Sequence, residues 1–254
     1  MPTPEPAQKK AWKWRNICTS LSHSALTGAG AVSCLYSKPQ MVEDLISSHT
    51  LLSHSLVAAS TGDHVTLSIT LHQQTDNFIC TLSLRSVSTP VISPPGYFIH
   101  DFLDVALNQP FKQSWEVLLH HSTVISCFTL AVTSRRYLGL AVVSLLIEIN
   151  SVFLHIRQLL LLLGQRNRPG TEATAPRPSV AYSIASWLNL GTLLVFRVYT
   201  MGWMTRWLAA HSGRVPRYVL MMGTVGMSLI STMNAVLFYR LLRADIFTDT
   251  SKHQ

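Results

Sequence analysis

Read for apolar and polar positions, the chain falls into long apolar runs separated by short basic or proline-rich breaks. A membrane-crossing helix needs about 20 mostly apolar residues, and several runs approach that length. Residues 16–37 (NICTSLSHSALTGAGAVSCLYS) lack Asp, Glu, Lys and Arg, and Ser24, Gly28 and Ala31 recur at near-helical spacing, which invites close approach by a neighbouring helix. Residues 117–134 form a second uncharged run. Residues 137–163 form a longer one, broken only by Glu148 and Arg157, with SRR between the two cores. Residues 179–205 are apolar around Arg197, and 218–239 carry no charge before the basic pair Arg240 and Arg243. A further span is expected between the first two, but 43–60 is dotted with serine and histidine, and 97–108 (YFIHDFLDVALN) has the length of half a span. Between these pieces, residues 61–95 alternate polar and apolar in VTLSITL and FICTLSL, which predicts a hairpin or an irregular segment rather than a membrane helix. Pro90, Pro94 and Pro95 close it.

Composition agrees with the pattern. Of 254 residues, 48% are hydrophobic and 13% charged, about half the charge of a soluble domain. The net charge of +8 comes from short clusters between apolar runs, a placement suited to loops at anionic headgroups rather than to nucleic acid. Cys18, Cys34, Cys80 and Cys127 form no C-x-x-C pair and no metal-ligand spacing. With the N-terminus cytoplasmic, the inner side carries Lys9, Lys10, Lys13, Arg15, Lys112, Arg166, Arg168, Arg177, Arg240 and Arg243. The outer side then carries Lys38, Arg135, Arg136, Arg206, Arg214 and Arg217. The excess predicts both termini inside. MPTPEPAQKKAWKWR is polar and basic and has no apolar signal-peptide core.

Ionisable groups at bilayer depth cost a few kcal/mol and are expected to face the bundle interior with partners. Glu116 and His120 stand one helical turn apart, and His121 lies about a third of the circumference away. Glu148, Ser151 and His155 share one helical face, while Asn150 and Arg157 share another. On the half-span, Tyr97, Asp101 and Asp104 make a row, with His100 one turn before Asp104. Together these rows predict a polar chamber. The plain reading is mutual interhelical hydrogen bonding. The second is acid/base chemistry: a histidine polarised by a buried carboxylate takes a proton from a hydroxyl or amine, as acyl transfer requires. A metal site ranks last, because there is no H-E-x-x-H and only one adjacent histidine pair. No cofactor is expected.

The segments WKWRN (12–16), GYFIHDFLD (96–104), SWEVLLHHSTVISCF (114–128), RRYLGLAVVSLLIEINSVFLHIRQLLLL (135–162) and FRVYTMGW (196–203) resemble the TLC-domain family, in particular its branch of TLC domain-containing proteins 1 and 2. The resemblance covers nearly the whole chain outside 61–95. In ceramide synthases, which share the wider fold, paired histidines and two aspartates on the following helix carry acyl transfer from acyl-CoA. His120 and His121 match the histidines, but Glu148 and Ser151 stand near the aspartate positions, which argues against ceramide synthesis. The resemblance implies a plasma-membrane protein that regulates phospholipid composition and fluidity by limiting incorporation of long polyunsaturated chains; no established reaction comes with it. Relatives are expected to carry an apolar segment ahead of WKW and nothing like 61–95, so this stretch reads as an insert or a gene-model artefact.

The sequence therefore predicts an all-α polytopic membrane bundle of the TLC fold with five to six spans. A polar tail covers 1–15, the membrane domain 16–246, interrupted at 61–95, and a second tail 247–254. The expected chamber-lining residues are His100, Asp101, Asp104, Glu116, His120, His121, Glu148, Asn150, Ser151, His155 and Arg197, with membrane phospholipids or acyl chains as partners. His120, His121, Glu148 and Asp101 are the catalytic candidates under the competing acyltransferase reading. Trp12 and Trp14 beside Lys13 and Arg15 read as an interfacial anchor, as do Trp203 and Trp207. For Arg197, snorkelling to the interface is favoured over a meeting with Glu148 or a lipid phosphate inside the bundle. The linker 164–178 reads as a flexible loop at the membrane face.

Overall fold

A computed structural model of the chain describes residues 10–61, 97–166 and 178–244. Among them every regular element is helical. In chain order these are α1 (Ala11–Ser37), a 3-10 turn (Pro39–Val42), α2 (Leu51–Thr61), α3 (Tyr97–Asn108), α4 (Phe111–Ser134), α5 (Leu138–Leu145), α6 (Ile147–Leu162) and α7 (Val180–Thr192). A π-helical segment (Leu193–Tyr199) then runs directly into α8 (Thr200–Ala210), followed by a 3-10 turn (Ser212–Arg214) and α9 (Arg217–Leu242). Among the described residues, four stretches are long and apolar enough to cross a membrane: Ser114–Ser134, Leu138–Leu162, Val180–Ala210 and Arg217–Leu242. They coincide with four of the expected runs. With 27 residues, α1 is equally long, but it is more polar, with Lys13, Arg15 and a series of serines. The hairpin expected within 61–95 lies outside the described residues, apart from Thr61, which ends α2.

Two compact units make up the chain, Ala31–Val143 and Met1–Gly30 with Ser144–Gln254. In the first, α2, α3 and α4 pack on one another. Here the expected span over 43–60 is corrected, because the helix begins only at Leu51. Asp44 Oδ1 accepts the N–H groups of Ile46 and Ser47 at 3.1 Å and folds that stretch into a turn. Thr50 and Ser53 then exchange backbone-to-hydroxyl bonds at 2.9 Å, a reciprocal cap that starts α2. Pro110, extended at ψ 131, separates α3 from α4. The SRR break becomes a tight turn with Arg135 (φ 52) and Tyr137 (φ 64) in the left-handed region, held by the Tyr137 N–H on the Ile46 carbonyl at 2.8 Å. Gly139 follows at a close approach: a Cβ there would lie 2.9 Å from Leu45 Cα.

In the second unit, α6 packs mainly on α7, while the π segment touches both α6 and α9. Ser179 caps α7 by accepting the Tyr182 N–H at 3.2 Å. Residues 11–15, assigned from sequence to a polar tail, belong to α1. Trp14 is buried within its unit, which corrects its reading as a headgroup anchor. Elsewhere in the unit, Arg166 Nη2 donates to the Ala244 carbonyl at 2.6 Å.

Candidate functional site

The residues expected to line one chamber fall into two groups, one in each unit. In the Ala31–Val143 unit, α3 carries Asp101 and α4 carries His121, both buried. His121 Nδ1 lies 3.5 Å from Asp101 Oδ2. The surroundings are aromatic: the His121 ring sits 5.5 Å from Phe98, which meets Phe128 edge-on at 6.0 Å. The His120 ring lies 5.4 Å from that of His121. His120 and Glu116 are half-buried on α4, and Asp104 is tied to its own helix, accepting from Asn108 Nδ2 at 2.8 Å. His100 belongs to α3, but its side chain lies outside the described ones. A buried carboxylate 3.5 Å from Nδ1 is placed to orient the imidazole, which is what a general base needs.

The other group centres on Arg197, the only charged residue of the π segment. Its guanidinium does not snorkel; it turns into its unit and donates three times, from Nε to Asn150 Oδ1 (2.6 Å), from Nη1 to Asn234 Oδ1 (2.8 Å) and from Nη2 to Ser151 Oγ (2.9 Å). These oxygens come from α6 and α9 and replace the solvation that the interface would have supplied. The Glu148 carboxylate attracts the cation electrostatically while accepting the Ser24 hydroxyl at 2.6 Å. Ser24 sits on α1, brought close by Gly28, where a Cβ would lie 3.1 Å from Ile149 Cγ1. The small-residue stripe read from the sequence thus packs against α6 at Gly28.

Asn150, fully buried, links the cation to the start of the π segment. Its Nδ2 donates to the Asn189 carbonyl (2.9 Å), to Asn189 Oδ1 (3.1 Å) and to Thr192 Oγ1 (3.0 Å). Wide helical turns of this kind gather at functional positions. Farther along α6, Arg157 is buried, with Nε on Ser186 Oγ at 3.2 Å and its guanidinium 5.4 Å from the Tyr182 ring centre. Asn150 and Arg157, expected on one helical face, therefore both meet α7. Ser151, placed from sequence on a face with Glu148 and His155, turns with Asn150 to Arg197, while Glu148 reaches α1; His155 is half-buried on α6.

Sequence reasoning passed over Asn189, Thr192 and Asn234. Tyr182, Ser186 and Asn189 at i, i+4 and i+7 were the available signal on α7. Asn234 is a single amide in an otherwise apolar run and gives little warning. The direction of every amide in this centre follows from Arg197, which can only donate. Asn150 and Asn234 must turn oxygen toward it, and Asn150 then presents nitrogen to Asn189 Oδ1. As a result the Nδ2 atoms of Asn189 and Asn234 are buried and without an acceptor, a state that costs about 1–3 kcal/mol for each group. Among the described residues, no group of three His, Cys, Asp or Glu is arranged to hold a metal ion.

A TLC domain family model matches residues 13–243. TLC domain-containing protein 2 of Danio rerio is 42% identical over 245 residues, covering 96% of this chain and 81% of its own length. The Homo sapiens protein of the same name is 35% identical, covering 97% and 76%. TLC domain-containing protein 1 of Gallus gallus is 28% identical, covering 96% and 78%. No solved structure matches.

Proposed function

This chain belongs to the TLC domain family of membrane proteins and has a membrane lipid-related role, and from that premise we propose that it binds a membrane lipid at the Arg197 centre and thereby biases which acyl chains enter phospholipids. In this reading it works at the plasma membrane with both termini cytoplasmic, limits incorporation of long polyunsaturated chains, and so keeps the bilayer less fluid. The observation that supports it is a cation in a membrane-crossing stretch, turned inward on three neutral oxygens and flanked by buried donors that lack acceptors. Simple structural glue would satisfy its own donors. An unsatisfied set is suited to a ligand that brings oxygen.

Lipid profiling tests this in cells that lack the protein and re-express wild type or Arg197→Met. Wild type lowers the share of long polyunsaturated chains in phospholipids, and the variant loses that effect at equal abundance and fold. An unchanged acyl profile with well-folded Arg197→Met overturns the proposal.

The Asp101–His121 pair favours a second reading, acyl transfer. His121, oriented by Asp101, takes the proton from the hydroxyl or amine that attacks the thioester carbonyl of acyl-CoA and returns it to the CoA sulfur as the C–S bond breaks. Purified protein that turns over acyl-CoA with a lyso-phospholipid or sphingoid base, and loses turnover in His121→Ala, would establish it. Absence of turnover with both acceptors removes it.

A further inference from the structure

The donor pattern around Arg197 specifies the kind of group that completes it. Arg197 has five N–H donors and uses three, so two remain. Asn189 and Asn234, 1% and 7% exposed, each hold an open amide nitrogen on the far side of an oxygen already engaged in this network. The oxygens of the network are each already engaged: Asn150 Oδ1, Asn234 Oδ1 and Ser151 Oγ by Arg197, and Asn189 Oδ1 and Thr192 Oγ1 by Asn150. A hydroxyl or a water entering here would find for its own hydrogens only the second lone pairs of oxygens already engaged. A group with lone pairs and no hydrogen fits better.

Charge narrows the choice further. Glu148, on α6 with Asn150 and Ser151, already places a carboxylate in this unit that acts on the cation electrostatically, so a phosphate or carboxylate would add a second negative charge in a low-dielectric setting, whereas a neutral carbonyl adds none. Arg197 itself is half-buried, while the two open amide nitrogens are buried.

We infer that the Arg197 centre recognises the acyl-ester carbonyl of a membrane lipid, with the open amides of Asn189 and Asn234 and the spare guanidinium hydrogens as its donors. The inference rests on the lipid-binding reading above and names the atom group that is read. Recognition then occurs at the joint between headgroup and acyl chain, the part of a phospholipid nearest the chain whose identity matters.

The test uses the purified full chain in detergent micelles and two probes of equal chain length and headgroup, a diester phosphatidylcholine and its diether analogue, which lacks both carbonyls. Binding is read by native mass spectrometry. The diester is expected to bind about tenfold more tightly, the order of effect for a buried donor left without its acceptor. Asn234→Asp and Asn189→Asp keep the oxygen that faces Arg197 or Asn150 and remove the open nitrogen, so each should shrink the preference for the diester. Equal binding of the two probes to wild type overturns the inference, and that comparison needs no variant to fold. Stronger displacement of the diester by a free fatty acid carboxylate or by inorganic phosphate also overturns it, in favour of an oxyanion site. A persistent diester preference alongside unchanged cellular acyl profiles would sink the proposed function and leave this site standing.

Discussion

The Arg197 centre and the Asp101–His121 pair solve the same problem, an ionisable side chain kept from water, in opposite ways. Arg197 is surrounded by neutral oxygens from two helices, with a carboxylate acting on it electrostatically, and its fixed donor sense sets the direction of every amide nearby. The histidine meets one carboxylate at 3.5 Å among phenylalanine rings. The first arrangement cannot change protonation state in normal conditions, since arginine holds its proton. The second is built around an imidazole, whose ring can both accept and donate a proton. The contrast separates a site suited to holding a polar group from one suited to moving a proton.

The largest way to break this contrast is Asn150→Leu, which removes four hydrogen bonds at once. It should destabilise the protein by roughly 2–4 kcal/mol, measured by reversible unfolding in micelles, because a buried cation loses one of its oxygens. A loss of under about 0.5 kcal/mol would mean that the network is not rigid. Next comes Gly139→Ala in the histidine-bearing unit, where the new Cβ meets backbone at 2.9 Å, at a cost of about 1–3 kcal/mol. Gly28→Ala should cost less, about 1 kcal/mol, since its tightest neighbour is a side-chain carbon at 3.1 Å; thermal unfolding of the pair checks the order. Arg157→Lys, which trades a planar group over Tyr182 for an ammonium, should cost about 0.5–1 kcal/mol. Asp101→Asn is the smallest in stability, under about 1 kcal/mol. It sharpens the comparison, because any acyl-transfer activity should fall far more than stability does.

The membrane runs were legible because their apolar length leaves few alternatives: 117–134, 137–163, 179–205 and 218–239 recur as the four long stretches with their ends adjusted by a few residues. The half-span at 97–108 is α3 itself. The start of α2 was not legible, because a serine- and histidine-rich stretch resembles a polar span until the Asp44 turn and the Thr50–Ser53 exchange are seen. For the site, helical spacing correctly put Asn150 and Arg157 on one face. It could not foresee that Arg197 would turn inward, since that depends on Asn234, about 37 positions later in the chain, and on the π segment. Pattern reading assumes one winding throughout, and 193–199 depart from it.

That departure bears on how this region tolerates change in length. Residues 193–199 take fewer turns than an α-helix of equal number would, so Arg197 and everything after it carry a phase offset relative to Asn189 and Thr192. Rewinding the segment to the commoner pitch at unchanged length would swing the guanidinium away from Asn150 and Asn234, whereas losing one residue together with the wide turn would largely restore its direction. Homologues that bind through this arginine should therefore either keep the wide turn or lack both it and one residue before the arginine.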